Sequence, residues 1–201
     1  MRLYKAFATV GGMTLISRAL GFIRDILVAF VLGTGPIADA FFVAFRFPNL
    51  FRRLFGEGAF NAAFIPLFAK ELEGDGKQSA KNFANQVASV LITALLITTA
   101  LAELTMPWLI YFIAPGFSEN PEKLDLAIFL TRITFPYLAC MSLVALLSGM
   151  LNALDKFAAA AAVPILLNVI LIAAMSIAAA LELNQTATAG IILSWGVAIA
   201  G

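Results

Sequence analysis

Histidine is absent from all 201 residues, cysteine occurs once, and charged side chains make up only 12% of the chain. Each shortage removes a class of chemistry. Without histidine the commonest zinc ligand and the side chain that titrates nearest neutral pH are gone, which argues against metal-dependent hydrolysis. The single Cys140 sits in an apolar run and excludes an internal disulfide. Thirteen basic against twelve acidic residues leave a net charge of +1, so no basic excess points to nucleic acid. A cleaved secretory signal is also missing: the first apolar run carries Arg18, Arg24 and Asp25 inside it, and the N-terminus is expected to be retained. What fills the chain is apolar, at 62% hydrophobic side chains against about 45–50% in soluble domains. A water-soluble globule is thereby excluded.

The apolar residues fall into runs near 6–32, 38–69, 83–113, 124–151, 157–181 and 187–201. Most exceed the roughly 20 residues that carry a helix across about 30 Å of hydrocarbon. Breaks fall at Gly33–Pro36, Glu73–Lys77, Ala114–Pro121, Asn152–Asp155 and Asn184–Thr186, all rich in turn-forming residues. The expected fold class is all-α, a polytopic transmembrane bundle of about six helices. The last run spans only about 22 Å as a helix and stops without a polar cap, so residues 1–201 are expected to be the N-terminal part of a longer protein. Lys and Arg in the short loops set the orientation. With the N-terminus inside, Arg2, Lys5, Lys70, Lys77, Lys81 and Lys156 are cytoplasmic and Lys123 stands alone outside.

The first two runs hold charges at bilayer depth. Arg18, Arg24 and Asp25 interrupt the first; Asp39, Arg46, Arg52, Arg53 and Glu57 interrupt the second. Each ionised group costs about 2.5–3.5 kcal/mol at the centre of a membrane, so these side chains must face protein or water. Arg18 and Asp25, seven residues apart, share nearly one helix face, with Gly21 on the same stripe leaving room for something large. Five positive charges stand against three negative ones. Arginine's planar fork of donors matches phosphate oxygens and stays charged at any depth. The pattern therefore predicts a cationic cavity for an anionic, phosphate-bearing substrate. Snorkelling of Arg46 to an interface and structural ion pairing between the helices are the bland alternatives. Arg132, in the turn after an acidic outer loop, is expected to snorkel back to that loop. Pro136 and Pro164 are expected to kink the fourth and fifth helices.

At these residues the chain resembles the MurJ (MviN) family of lipid II flippases. The resemblance rests on 17–25 (SRALGFIRD), 39–45 (DAFFVAF), 48–53 (PNLFRR), 57–60 (EGAF) and 114–117 (APGF), in that order along the whole chain. It implies a flippase that moves the undecaprenyl-pyrophosphate-linked peptidoglycan precursor across the bacterial cytoplasmic membrane by alternating access between two helical lobes. The second lobe is not in this sequence. By the resemblance, Arg18, Arg24, Arg52 and Asp39 are substrate-binding residues. Asp25, Glu57, Ser17 and Arg53 are gating and charge-pairing residues. The implied partners are the lipid-linked precursor, membrane lipids and the missing C-terminal lobe, with no nucleic acid. No catalytic residue, metal or cofactor is expected. The competing readings are a drug or sugar exporter of the same superfamily, a polyprenyl-pyrophosphate enzyme, and a non-transporting scaffold for cell-wall synthesis. The enzyme reading would need a magnesium-binding acidic cluster, and Glu71, Glu73 and Asp75 are Gly-broken and interleaved with lysines.

Overall fold

The computed structural model describes residues 2–52, 59–154 and 156–201, with side chains at 4, 8–50, 62–154 and 156–201. These residues form an all-α bundle of eight helices: α1 (Arg2–Leu32), α2 (Pro36–Arg52), α3 (Ala59–Gly74), α4 (Gly76–Ile113), α5 (Pro121–Thr134), α6 (Tyr137–Ala153), α7 (Phe157–Ala180) and α8 (Ala187–Ala200). A short 3-10 turn, Pro115–Glu119, links α4 to α5. Among the described residues, three stretches are long and apolar enough to cross a membrane: Gly76–Ile113, Pro121–Ala153 and Phe157–Ala180.

The turn residues act where the sequence places them. Gly33 takes φ +66°, and its N–H bonds the Ala29 carbonyl 3.1 Å away, closing α1 in a left-handed cap that glycine adopts without a Cβ penalty. Pro36 then opens α2, where its missing N–H costs nothing. Asn120 caps α5 by accepting from the Lys123 N–H at 3.1 Å. Thr186 does the same for α8 through the Ala189 N–H at 3.3 Å. The chain breaks inside the expected Glu73–Lys77 segment, but only at Asp75–Gly76, and the residues on either side are helical. α4 starts at Gly76, whose φ of +82° makes the turn out of α3, and Ser79 donates back to Glu71 at 2.6 Å.

Prolines divide or bend the long runs. Pro136 splits the fourth run into α5 and α6, and the Phe135 N–H closes α5 on the Thr131 carbonyl at 2.8 Å. Pro48 lies inside α2 and cannot donate to the carbonyl of Ala44. That carbonyl accepts instead from the Thr134 hydroxyl of α5 at 2.8 Å. Inside a bilayer such a freed group has no water to turn to, so the neighbouring helix supplies the donor. The Asn49 side chain similarly bonds the Phe45 carbonyl at 2.8 Å.

Packing runs α1 along α7 and α2 along α5, with α8 against α2, α5 and α7. α8 approaches closely because it is rich in small residues: a Cβ on Gly196 would lie 3.0 Å from that of Ala174, and one on Gly190 3.3 Å from Leu130. Phe47, Phe135, Tyr137, Met106, Met175 and Leu193 fill the core. Large apolar side chains such as Val90, Leu96, Leu104 and Trp108 lie exposed along α4, as suits a helix whose solvent is lipid.

Candidate functional site

Six residues separate Arg18 from Arg24 on α1, about 9 Å along the axis and about 120° around it, so the two guanidinium groups occupy different surroundings. Arg24 faces α7. Its Nε and Nη2 donate to Asp25 Oδ1 at 3.0 and 2.8 Å, and its Nη1 donates to Asn168 Oδ1 at 2.8 Å. The Asn168 amide in turn donates to the Ser17 carbonyl at 2.9 Å. Ser17, Arg24 and Asp25 are thus brought into one network, in which Ser17 contributes its backbone rather than its hydroxyl. Arg24 remains 23% exposed and Asp25 67% exposed at the side chain. Both border a small cavity of about 40 Å³ that is otherwise walled by apolar residues, Phe41 and Met175 among them. The space beside Gly21 is taken by Asn168: a Cβ there would sit 3.7 Å from its Nδ2.

Arg18 lines a wider groove of about 530 Å³ between α1 and the α6–α7 turn, with Thr14, Ser17, Asn152, Ala160 and Pro164. Among the described residues none of the lining side chains is acidic and Arg18 has no ion-pair partner. A second hollow of about 220 Å³ continues from Asn152, Ala160 and Pro164 past Ser148 to Ile65 of α3. Pro164 lacks the N–H that would bond the Ala160 carbonyl, so the wall shared by both hollows contains a carbonyl without its helical donor. Cation, hydroxyls and amide together make a surface suited to an oxyanion and neutral hydrogen-bonding groups.

Asp39 lies apart from these arginines. It occupies the first turn of α2, where a negative charge complements the helix dipole, and pairs with Lys123 of α5 at 2.5 Å. Lys123 also stands 4.2 Å above the Phe117 ring. Arg46 is exposed, with no ion pair among the described residues. Arg52 closes α2, but its side chain, together with Arg53 and Glu57, lies outside the described residues. Arg132 does not return to the outer loop; its Nε lies 4.0 Å from Glu103 Oε2 on α4, which offers a counter-charge at the same depth. Sequence reasoning gave no role to Asn168, Lys123 or Glu103. A lone amide inside the apolar run 157–181 is the signal that would have marked Asn168.

Comparison with known proteins places the chain in a family. A sequence profile described as "MurJ: Lipid II flippase MurJ" matches residues 28–201. The chain is 54% identical over its whole length to a protein of Rhizobium tropici named probable lipid II flippase MurJ, and 55% identical to one of Rhizobium meliloti (strain 1021) with the same name. It is 40% identical over 87% of its length to the lipid II flippase MurJ of Burkholderia cenocepacia. The chain spans 38%, 38% and 34% of the lengths of these three relatives. A solved structure titled "Lipid II flippase MurJ, inward closed conformation" superposes on 95% of the chain with a TM-score of 0.76 and 26% identity, using 40% of that structure. The sequence agreement over residues 28–201 and the superposition of the bundle together establish that this chain belongs to the MurJ family.

Proposed function

We propose that this chain forms the N-terminal lobe of a flippase that carries the undecaprenyl-pyrophosphate-linked peptidoglycan precursor across the bacterial cytoplasmic membrane. The observation that carries this reading is Arg18, a guanidinium that has no counter-charge among the described residues, in a groove whose described lining holds no carboxylate. Family membership supports the substrate, since the relatives' names specify lipid II. In this reading Arg18, Arg24 and Arg52 attract the diphosphate. Asp39 acts with them at the opposite end of α2, where its bond to Lys123 can break and re-form as access alternates. Asp25, Ser17, Arg53 and Glu57 hold the charge pairs that change between states. The N-terminus is cytoplasmic, following the bias of Lys and Arg. Transport rather than catalysis is the task, and a second lobe completes the pathway.

The test uses bacteria in which the cell's own flippase can be depleted, complemented with the gene for this protein. Arg18→Ala and Arg24→Ala should reach the membrane at normal levels yet fail to deliver precursor to the outer leaflet, read by labelling it there. Normal delivery by both variants overturns the site. Loss of precursor synthesis on depletion would instead favour an enzyme.

A further inference from the structure

Asn168 is a polar amide placed deep in α7, 4% exposed and flanked by leucine, valine and isoleucine. Burying an unbonded amide at this depth would be costly, so its bonds carry information. The Ser17 carbonyl can only accept, which forces the NH2 of Asn168 towards α1's backbone. Its Oδ1 is thereby turned to Arg24, 2.8 Å away. The amide cannot flip without setting oxygen against oxygen and NH2 against a guanidinium. A Cβ on Gly21 would stand 3.7 Å from the amide nitrogen, in ordinary van der Waals contact.

A guanidinium has five N–H groups. Asp25 takes two from Arg24 and Asn168 takes one, leaving two for a ligand. Asp25 is the stronger acceptor and is mostly exposed, so by itself it would draw Arg24 towards the surface of α1. Asn168 holds the Nη1 edge against α7 instead. We infer that Asn168 is a positioning residue: it sets the direction of Arg24's remaining donors and so the affinity for the diphosphate. This rests on the reading of Arg24 as a substrate ligand given above.

The test is a cycle of Asn168→Ala and Arg24→Ala in the purified full-length protein, with undecaprenyl pyrophosphate as the probe and melting temperature recorded alongside. Asn168→Ala should weaken binding about tenfold when Arg24 is present, and by less than about twofold in the Arg24→Ala background. A purely structural role would lower binding equally in both backgrounds, and that result overturns the inference. Asn168→Asp, which has the same shape, provides the decision if the alanine variant does not fold. It places a second carboxylate on Arg24 and an acceptor against the Ser17 carbonyl, so binding should again fall about tenfold; unchanged binding overturns the inference. If Arg24→Ala alone binds normally, the substrate role of Arg24 fails. If it binds weakly while both Asn168 variants bind normally, only the positioning role fails.

Discussion

Thr134→Val should destabilise the protein by about 1–2 kcal/mol, and Pro48→Ala should remove most of that cost. The reasoning starts at the Ala44 carbonyl, which lost its helical donor to Pro48 and accepts from the Thr134 hydroxyl at 2.8 Å. Ala44 and Thr134 are both fully buried, so nothing outside the bundle can substitute. Valine preserves the shape and deletes the donor. An orphaned buried acceptor costs about 1–3 kcal/mol in general, whereas hydrogen bonds between side chains in membrane bundles average about 0.6 with a maximum near 1.7, which brackets the estimate. The same hydroxyl also lies 3.2 Å from the Thr131 carbonyl, but that group keeps the Phe135 N–H at 2.8 Å, so the loss falls on Ala44. Pro48→Ala returns a backbone N–H to Ala44. In that background Thr134→Val should cost less than about 0.5 kcal/mol. Reversible unfolding of the four proteins in mixed micelles measures the cycle. Equal costs in both backgrounds would refute the assignment of Thr134 as the substitute donor.

Exchanging Asp39→Lys with Lys123→Asp should restore part of the transport that either change alone removes, read by complementation of flippase-depleted cells; no restoration would mean that the pair does not act as a unit. The pair's contribution to stability should stay near 1 kcal/mol, because the Asp39 side chain is 54% exposed and the attraction is screened. Gly196→Ala should cost about 1–3 kcal/mol in thermal unfolding, since the added methyl would stand 3.0 Å from Ala174 on the facing helix. A neutral result would show that α7 and α8 can separate freely.

Much of the architecture was legible because the bilayer imposes a simple rule on composition. Runs 157–181 and 187–201 became α7 and α8 almost residue for residue, bounded by the Asn184–Thr186 turn and the Thr186 cap. Pro136 marked the break inside the fourth run because a missing N–H is a local fact. The break within Glu73–Lys77 was legible from its glycines, but its charges suit a solvated helix end as well as a loop, so α3 and α4 run closer to each other than the apolar runs alone implied. At the site, five positive charges against three negative ones could be counted from sequence, but not which were compensated. Lys123 lies 84 positions from Asp39 and Asn168 lies 144 from Arg24, and only tertiary packing joins them. Those contacts localise the surplus to Arg18 and Arg46 among the described residues. The expectation that Arg132 returns to its nearest acidic loop failed for the same reason, as Glu103 reached it from a different helix.

The turn between α7 and α8 also fastens α1. Gln185 donates its backbone N–H to the Val31 carbonyl at 2.7 Å, and its side chain fills the place where a Cβ on Gly33 would be. This clasp fixes one end of a 31-residue rod. Arg18 lies about 20 Å down that rod at about 1.5 Å per residue, so a swing of about 10° would carry it by roughly 3 Å while Gly33 barely stirs. A hydrogen bond from the α7–α8 turn to the last turn of α1 thus anchors the end of α1 far from the Arg18 groove, and widening that groove would require the Asn168–Ser17 bond to break.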